Sequence, residues 1–174
     1  PPACGHRASR MIAPIRWAED RLFLLDQTLL PVEERFREYS RWPDVAEAIR
    51  TLVVRGAPAI GCAAAFGLVL AARQSLAEDT DGIVRDLEEA EKGLASTRPT
   101  AVNLFWALDR MRGVAHAERA RSVPAFRARL LAEAQAILEE DLAGNRALGA
   151  HGASLVPEGA RILTHCNAGA LATA

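Results

Sequence analysis

The sequence predicts a mostly helical N-terminal domain with a small antiparallel sheet, joined by one long helix to the first strand of an α/β domain. Three observations carry this prediction. Between residues 44 and 154, apolar side chains recur at helical spacing in long stretches. Before residue 26, two short apolar runs flank an acidic turn. After residue 160, Ile162 to Thr164 read as a short apolar strand that turns at Cys166, and Gly169 opens what reads as a helix.

The elements follow in order. Residues 1–10 have no pattern and precede Met11, so they read as an extension or tag remnant outside the fold. Cys4 and His6 within them are too few ligands for a metal site. The N-terminal domain with its connecting helix spans 11–154, and the start of the second domain spans 155–174. Ile15–Trp17 and Arg21–Leu25 read as strands around Glu19-Asp20, and Leu24-Leu-Asp-Gln-Thr-Leu-Leu-Pro31 follows. Residues 44–54 read as a helix capped by Asp44, with Val45, Ala48, Ile49 and Leu52 on one face. Arg55-Gly-Ala-Pro-Ala-Ile-Gly61 then opens a long apolar helix reaching Arg73, with Pro58 in its first turn.

Residues 80–95 are amphipathic, with Ile83, Leu87, Ala90 and Leu94 on one side. Thr97-Arg-Pro-Thr-Ala-Val-Asn103 repeats the earlier arrangement: Arg98 precedes a proline expected to open a helix that runs to Ala117. After Ser122-Val-Pro124 a last helix runs to residue 154 and carries Leu130, Leu131, Ala134, Ile137, Leu138, Leu142 and Leu148. Val156–Gly159 is a turn before the final strand.

Size and composition bound the function. The chain has 174 residues, half of them hydrophobic, and a formal net charge of -1. Nothing in that balance draws it to nucleic acid or to an acidic membrane. The apolar run from Ala59 to Ala72 is too short for a membrane span and reads as a core helix. The three cysteines, Cys4, Cys62 and Cys166, are widely spaced and odd in number, which fits a reducing cytoplasm better than a disulfide framework. Lys92 is the single lysine among 21 basic residues, a bias read as genome composition.

Two loops place an arginine before a proline-bearing helix start. Free N–H groups at a helix N-terminus bind anions, and a guanidinium adds a bidentate donor. Arg55-Gly56-Ala57 is the better of the two, because Gly56 and Ala57 leave the backbone open to a ligand. The alternative is structural: each arginine pairs with a carboxylate or caps a helix C-terminus. Cys166 at a strand end is a candidate reactive thiol, against the alternative of an inert buried one. His165 neighbours it, but successive strand residues point to opposite faces, so a packed or hydrogen-bonded histidine is favoured over a base. Cys62 reads as core filler. Asp141 and Asn145 share a helix face and read as packing or capping residues.

Four segments together resemble one family. Leu24–Pro31, Val53-Val-Arg-Gly-Ala-Pro-Ala-Ile-Gly61, Arg98-Pro-Thr-Ala-Val-Asn-Leu104 and Ile162-Leu-Thr-His-Cys-Asn-Ala-Gly-Ala-Leu-Ala-Thr173 are similar, in order and spacing, to 5-methylthioribose-1-phosphate isomerases. These are the aldose–ketose isomerases of methionine salvage, and the resemblance runs from Met11 to the end. Ribose 1,5-bisphosphate isomerases and the regulatory subunits of the eukaryotic initiation-factor exchange complex share part of the pattern. The first and last motifs favour the methylthioribose enzyme over those subunits.

The resemblance implies an α/β protein with a Rossmann-like C-terminal domain, in a cytoplasmic homodimer. It implies substrate binding by Arg55, Gly56, Ala57 and Arg98, and catalysis by Cys166 with an aspartate of the C-terminal domain. Asp141 is not that aspartate, since it precedes the cysteine motif. The chain is thus expected to be an N-terminal fragment, inactive alone. Carbon 1 of such a substrate is locked as a phosphate ester, so ring opening needs an acid before hydrogen moves from carbon 2 to carbon 1. The route, hydride or enolate, is open, and no metal or organic cofactor is required. The partners implied are a sugar phosphate and a second copy of the chain, with no nucleic acid or membrane. The alternatives are a non-catalytic sugar-phosphate-binding or regulatory subunit and an isomerase for another pentose 1-phosphate.

Overall fold

The computed structural model describes residues 13–165 and 168–174. The expected extension at 1–10, with Cys4 and His6, lies outside the described residues, as does Cys166. The chain starts with three antiparallel strands, β1 (Ile15–Ala18), β2 (Arg21–Leu25) and β3 (Phe36–Tyr39), in the order β1-β2-β3. Glu19 and Asp20 connect the first two with φ of 50° and 61°, the left-handed pair whose twist matches a tight hairpin. Leu22 and Leu24 point into the core, and Leu25 is buried on the opposite face of the strand. The sequence reading did not anticipate β3. It is an edge strand with Tyr39 its single buried side chain, so it leaves no alternating signal. Its register against β2, Leu22↔Tyr39 and Leu24↔Arg37, comes from the ladder rather than from hydrophobicity.

Five helices follow. Helix α1 (Trp42–Arg50) starts earlier and ends earlier than expected. Pro43 occupies its first turn, and Arg41 is at the N-cap with no side-chain cap. Asp44 is therefore not the cap; it lies in the first turn, where the helix dipole favours an acid. Leu52, expected on the buried face, has φ of 66° and turns outward after the helix ends.

Helix α2 (Ala57–Gln74) is the centre of the molecule. Every residue from Ala59 to Ala72 is buried, because α1, α3, α4, α5 and the sheet surround it. A helix apolar on all sides is stable only when enclosed in this way. At 18 residues it is longer than its apolar run suggests, and by length and composition it reaches what a membrane span needs; 78% of it is buried by its own neighbours. Phe66 stacks on Trp17 with ring centroids 5.3 Å apart. Arg127 Nε and Nη2 donate to the carbonyls of Ala72 and Ser75, closing the C-terminal end of α2.

Helix α3 (Thr80–Ala95) matches its predicted span and is capped by Asp79, which accepts from Gly82 N at 2.7 Å. Helix α4 (Val102–Ala117) does not open at Pro99. A separate turn from Arg98 to Ala101, closed by Ala101 N donating to Arg98 O at 3.0 Å, holds the proline ahead of the helix. Helix α5 (Val123–Ala153) buries Phe126, Leu130, Ala134 and Ile137, and its C-terminal half is solvent-facing. Leu148 is 71% exposed, so it is not a core position here.

The strand expected at Ile162–Thr164 is not formed. Ile162 and Leu163 are 74% and 98% exposed. A strand is held by the ladder it makes with a neighbour, and none of the described residues supplies one here. Gly169, at φ of 81°, opens a single turn closed by Ala172 N donating to Gly169 O, rather than a helix.

Candidate functional site

The N-terminus of α2 is where the loops meet. Gly56 is its N-cap, with φ of 96°, a conformation that side chains resist. A Cβ at Gly56 would stand 2.3 Å from the Cα and carbonyl oxygen of Ala172, so only glycine lets the C-terminal segment pass. The carbonyl of Ala172 accepts from Ala59 N at 3.3 Å, and Pro58 has no N–H. Among the described residues the amide of Ala57, an exposed residue, is then the first-turn donor without a partner. Arg55 is exposed beside it, and the Arg98 turn faces it from the start of α4.

These groups share one cleft of about 550 Å³, lined by Arg55, Gly56, Arg98, Thr100, Gly169 and Thr173 among others. The structure therefore brings together the four residues that the resemblance named, Arg55, Gly56, Ala57 and Arg98, with the tail of the cysteine motif. Among the described residues neither guanidinium pairs with a carboxylate, unlike Arg37, Arg110 or Arg129. Nor does either cap a helix C-terminus as Arg127 does. Guanidinium groups and free helix-end amides are the donors that anions of the phosphate class take.

Cys166 itself lies outside the described residues. His165 is exposed on the unpaired stretch before it. Cys62 is buried in α2, where burial first and the nearby Asp141 charge second push its thiol up to about 12. It stays protonated at neutral pH and is core material rather than a nucleophile. It lines a second cavity of about 430 Å³ with Pro58, Asn103, Trp106 and Asp141. Asp141 lies inside α5 and caps no helix end: its Oδ2 accepts from Ala174 N at 2.8 Å, tying the C-terminal segment to α5, and its carbonyl accepts from Asn145 Nδ2 at 2.8 Å.

Two residues beside the cleft had no role in the sequence reading. Asp26 is fully buried. It accepts from Thr28 N at 3.0 Å, Thr28 Oγ1 at 2.6 Å and Arg37 Nε at 2.6 Å. Burial alone would raise its carboxyl, but the Thr28 bonds and the Arg37 guanidinium together hold it below the usual carboxylate range. Gln27, 9% exposed, donates its backbone N–H to Val53 O at 3.0 Å and its side-chain Nε2 to Leu171 O at 2.7 Å. The Asp-x-Thr spacing is a sequence signal for an Asx turn and would have found Asp26. Gln27 carried no signal beyond membership of the Leu24–Pro31 motif.

Residues 53–174 match the Initiation factor 2 subunit family. The chain belongs to that family. Within it, a protein from Geobacter metallireducens (strain ATCC 53774 / DSM 7210 / GS-15) named methylthioribose-1-phosphate isomerase is 53% identical over 160 residues, 92% of this chain and 46% of its own length. One of the same name from Pelotomaculum thermopropionicum (strain DSM 13744 / JCM 10971 / SI) is 53% identical over 165 residues, 94% of this chain and 45% of its own. The chain thus spans about half the length of the curated relatives it matches.

The crystal structure of 5-methylthioribose 1-phosphate isomerase from Pyrococcus horikoshii OT3 superposes with a TM-score of 0.88 at 41% identity, covering 94% of this chain and 46% of that one. The translation initiation factor eIF-2B, subunit delta, from A. fulgidus gives 0.83 at 42% identity, covering 93% and 47%. The relatives bear the family name anticipated from the four motifs. A helical domain with a small antiparallel sheet is the fold expected, and its third strand is the addition.

Proposed function

We propose that this chain supplies the arginine-bearing half of a cytoplasmic, homodimeric aldose–ketose isomerase. Its reaction is conversion of 5-methylthioribose 1-phosphate to 5-methylthioribulose 1-phosphate in methionine salvage. The observation that carries this is the cleft itself, where Arg55, Gly56, Ala57 and Arg98 converge on the tail of the cysteine motif. The names of the relatives point to the same chemistry. In this reading Arg55, Arg98 and the Ala57 amide hold the phosphate and sugar oxygens. Gly56 makes room for the Ala172 segment that borders the site, and Cys166 acts at the carbon where hydrogen leaves or arrives. A Rossmann-like C-terminal domain supplies the acid that opens the ring.

The test uses the protein at the full length of its relatives, assayed on 5-methylthioribose 1-phosphate, ribose 1,5-bisphosphate and 5-deoxyribose 1-phosphate side by side. The methylthio sugar is expected to turn over fastest. Cys166→Ser is expected to lower turnover by about a hundredfold or more with little change in substrate affinity, since a group used mainly in the transition state contributes mainly to turnover. Near-normal turnover in the serine variant removes Cys166 from the mechanism.

The likeness to the A. fulgidus subunit favours a second reading, a non-catalytic sugar-phosphate-binding or regulatory subunit. Binding of the three sugar phosphates without turnover of any would select it.

A further inference from the structure

Between the hairpin and the cleft runs one buried tether. Gln27 leaves β2 on the turn that Asp26 locks through Thr28 and Arg37. Its main-chain N–H holds Val53, which starts the segment leading into Arg55. Its side-chain amide holds the carbonyl of Leu171, at the tail of the cysteine motif. The next carbonyl, Ala172, is held by Ala59 N of α2, and the segment passes Gly56 with no room for a side chain. One residue thus grips both walls of the cleft, by main chain on one and by side chain on the other. Its own position is set by a fully buried carboxylate.

We infer that Gln27 is a positioning residue: its side-chain amide fixes the Leu171 segment against the Arg55 loop, so that the arginine wall of the cleft and the wall formed by residues 168–173 keep a single spacing. This rests on reading the cleft as the isomerase site. A buried amide donating to a main-chain carbonyl needs a partner of the right length and hydrogen-bonding sense. Methionine or glutamate fills similar space and cannot donate in the same way. Proximity catalysis is sensitive to such spacing, since a shift of about 1 Å in a reacting group costs on the order of a hundredfold in rate.

The experiment compares Gln27→Glu and Gln27→Met with the unsubstituted protein at relatives' length. Both variants keep the length of the side chain; should the methionine variant fail to fold, the near-isosteric glutamate variant carries the test. Turnover is expected to fall about ten- to a hundredfold. KM is expected to change by less than about threefold, because the phosphate contacts persist. Amide hydrogen exchange is expected to quicken about threefold or more in residues 168–174 and to stay unchanged in α3. A lowered melting temperature with unaltered turnover and KM overturns the inference, since it leaves Gln27 a stability residue only. Unaltered exchange at 168–174 overturns it as well. If the unsubstituted protein turns over none of the three sugars, the proposed function falls. The exchange measurement then decides alone: quickening confined to 168–174 upholds the tether, and any other pattern rejects it.

Discussion

The helical body around α2 and the stretch Ile162–Leu163 are both built of apolar residues, yet one is packed and the other is not. In the body, Phe66, Leu70, Ile83, Leu94, Leu108 and Phe126 are enclosed by five helices and a sheet. From residue 160 onward, Ile162 and Leu163 face water, and among the described residues there only Ala172 and Ala174 are buried. The difference is one of partners rather than composition. A helix satisfies its own backbone and then needs one apolar face covered, whereas a strand satisfies nothing until a second strand arrives. Residues 171–174 are held without a strand partner: Gln27, Ala59 and Asp141 each bond to them.

The sharpest way to break this contrast is to hollow out the body. Phe66→Ala removes a fully buried ring stacked on Trp17. It is expected to cost about 3–5 kcal/mol of stability, as large-to-small core changes with a residual cavity do. Urea unfolding followed by far-UV circular dichroism measures it. A loss below about 1 kcal/mol would mean that α2 is not the load-carrying centre of the fold.

The arginine wall of the cleft is next in size. In the protein at relatives' length, Arg55→Ala is expected to weaken sugar-phosphate binding by about 1.5–3 kcal/mol, the range for hydrogen bonds to a charged group. Calorimetric titration reads this directly. Because Arg55 is exposed and pairs with no carboxylate among the described residues, melting of the same variant should barely move. Unchanged affinity would return Arg55 to a purely structural role.

The sequence made the body legible and the cleft only partly so. Ile83, Leu87, Ala90 and Leu94 were predicted on one face of α3 and all are buried, because a helical stripe repeats often enough to be read. Strand β3 was invisible, since an edge strand with one buried side chain has no repeat. Pro99 was read as a helix opener by analogy with Pro58, yet the Arg98–Ala101 turn intervenes, and it holds Arg98 ahead of α4. Arg55 and Arg98 were found through motifs. Gln27 was not singled out, because its role depends on two carbonyls from distant parts of the chain. Spacing along the sequence carries no trace of such a contact.

The buried carboxylate behind Gln27 gives a pH test of the hairpin side. The folded Asp26 carboxyl titrates below its unfolded value, so it contributes stability that is fully present above the unfolded pKa, near pH 4, and is lost as pH falls through the folded one. Glu133, buried between Arg110 and Arg129 and likewise held low, adds to the same acid limb. Asp26→Asn is expected to cost about 1–3 kcal/mol at neutral pH by weakening the bonds from Thr28 and Arg37. It should also make the decline below about pH 4 shallower, since one titrating group has gone. Denaturation curves at a series of pH values show both effects. An acid limb of unaltered slope would assign it to other carboxylates.

The smallest effect should come from the segment whose expected strand is missing. Leu163 is 98% exposed and has no ladder partner among the described residues. Leu163→Ser in this chain is therefore expected to change stability by less than about 0.5 kcal/mol, the range of surface substitutions that touch nothing. The same change in the protein at relatives' length separates two accounts of that exposure. If Ile162–Thr164 pair with strands of a C-terminal domain there, Leu163 gains a buried face. Its loss should then cost about 2–5 kcal/mol, as other buried leucines do when cut back. A small effect in both lengths would mean that the stretch is a surface connection whatever follows it. A large effect in this chain alone would mean that the leucine is already packed, and the contrast between body and tail would fail.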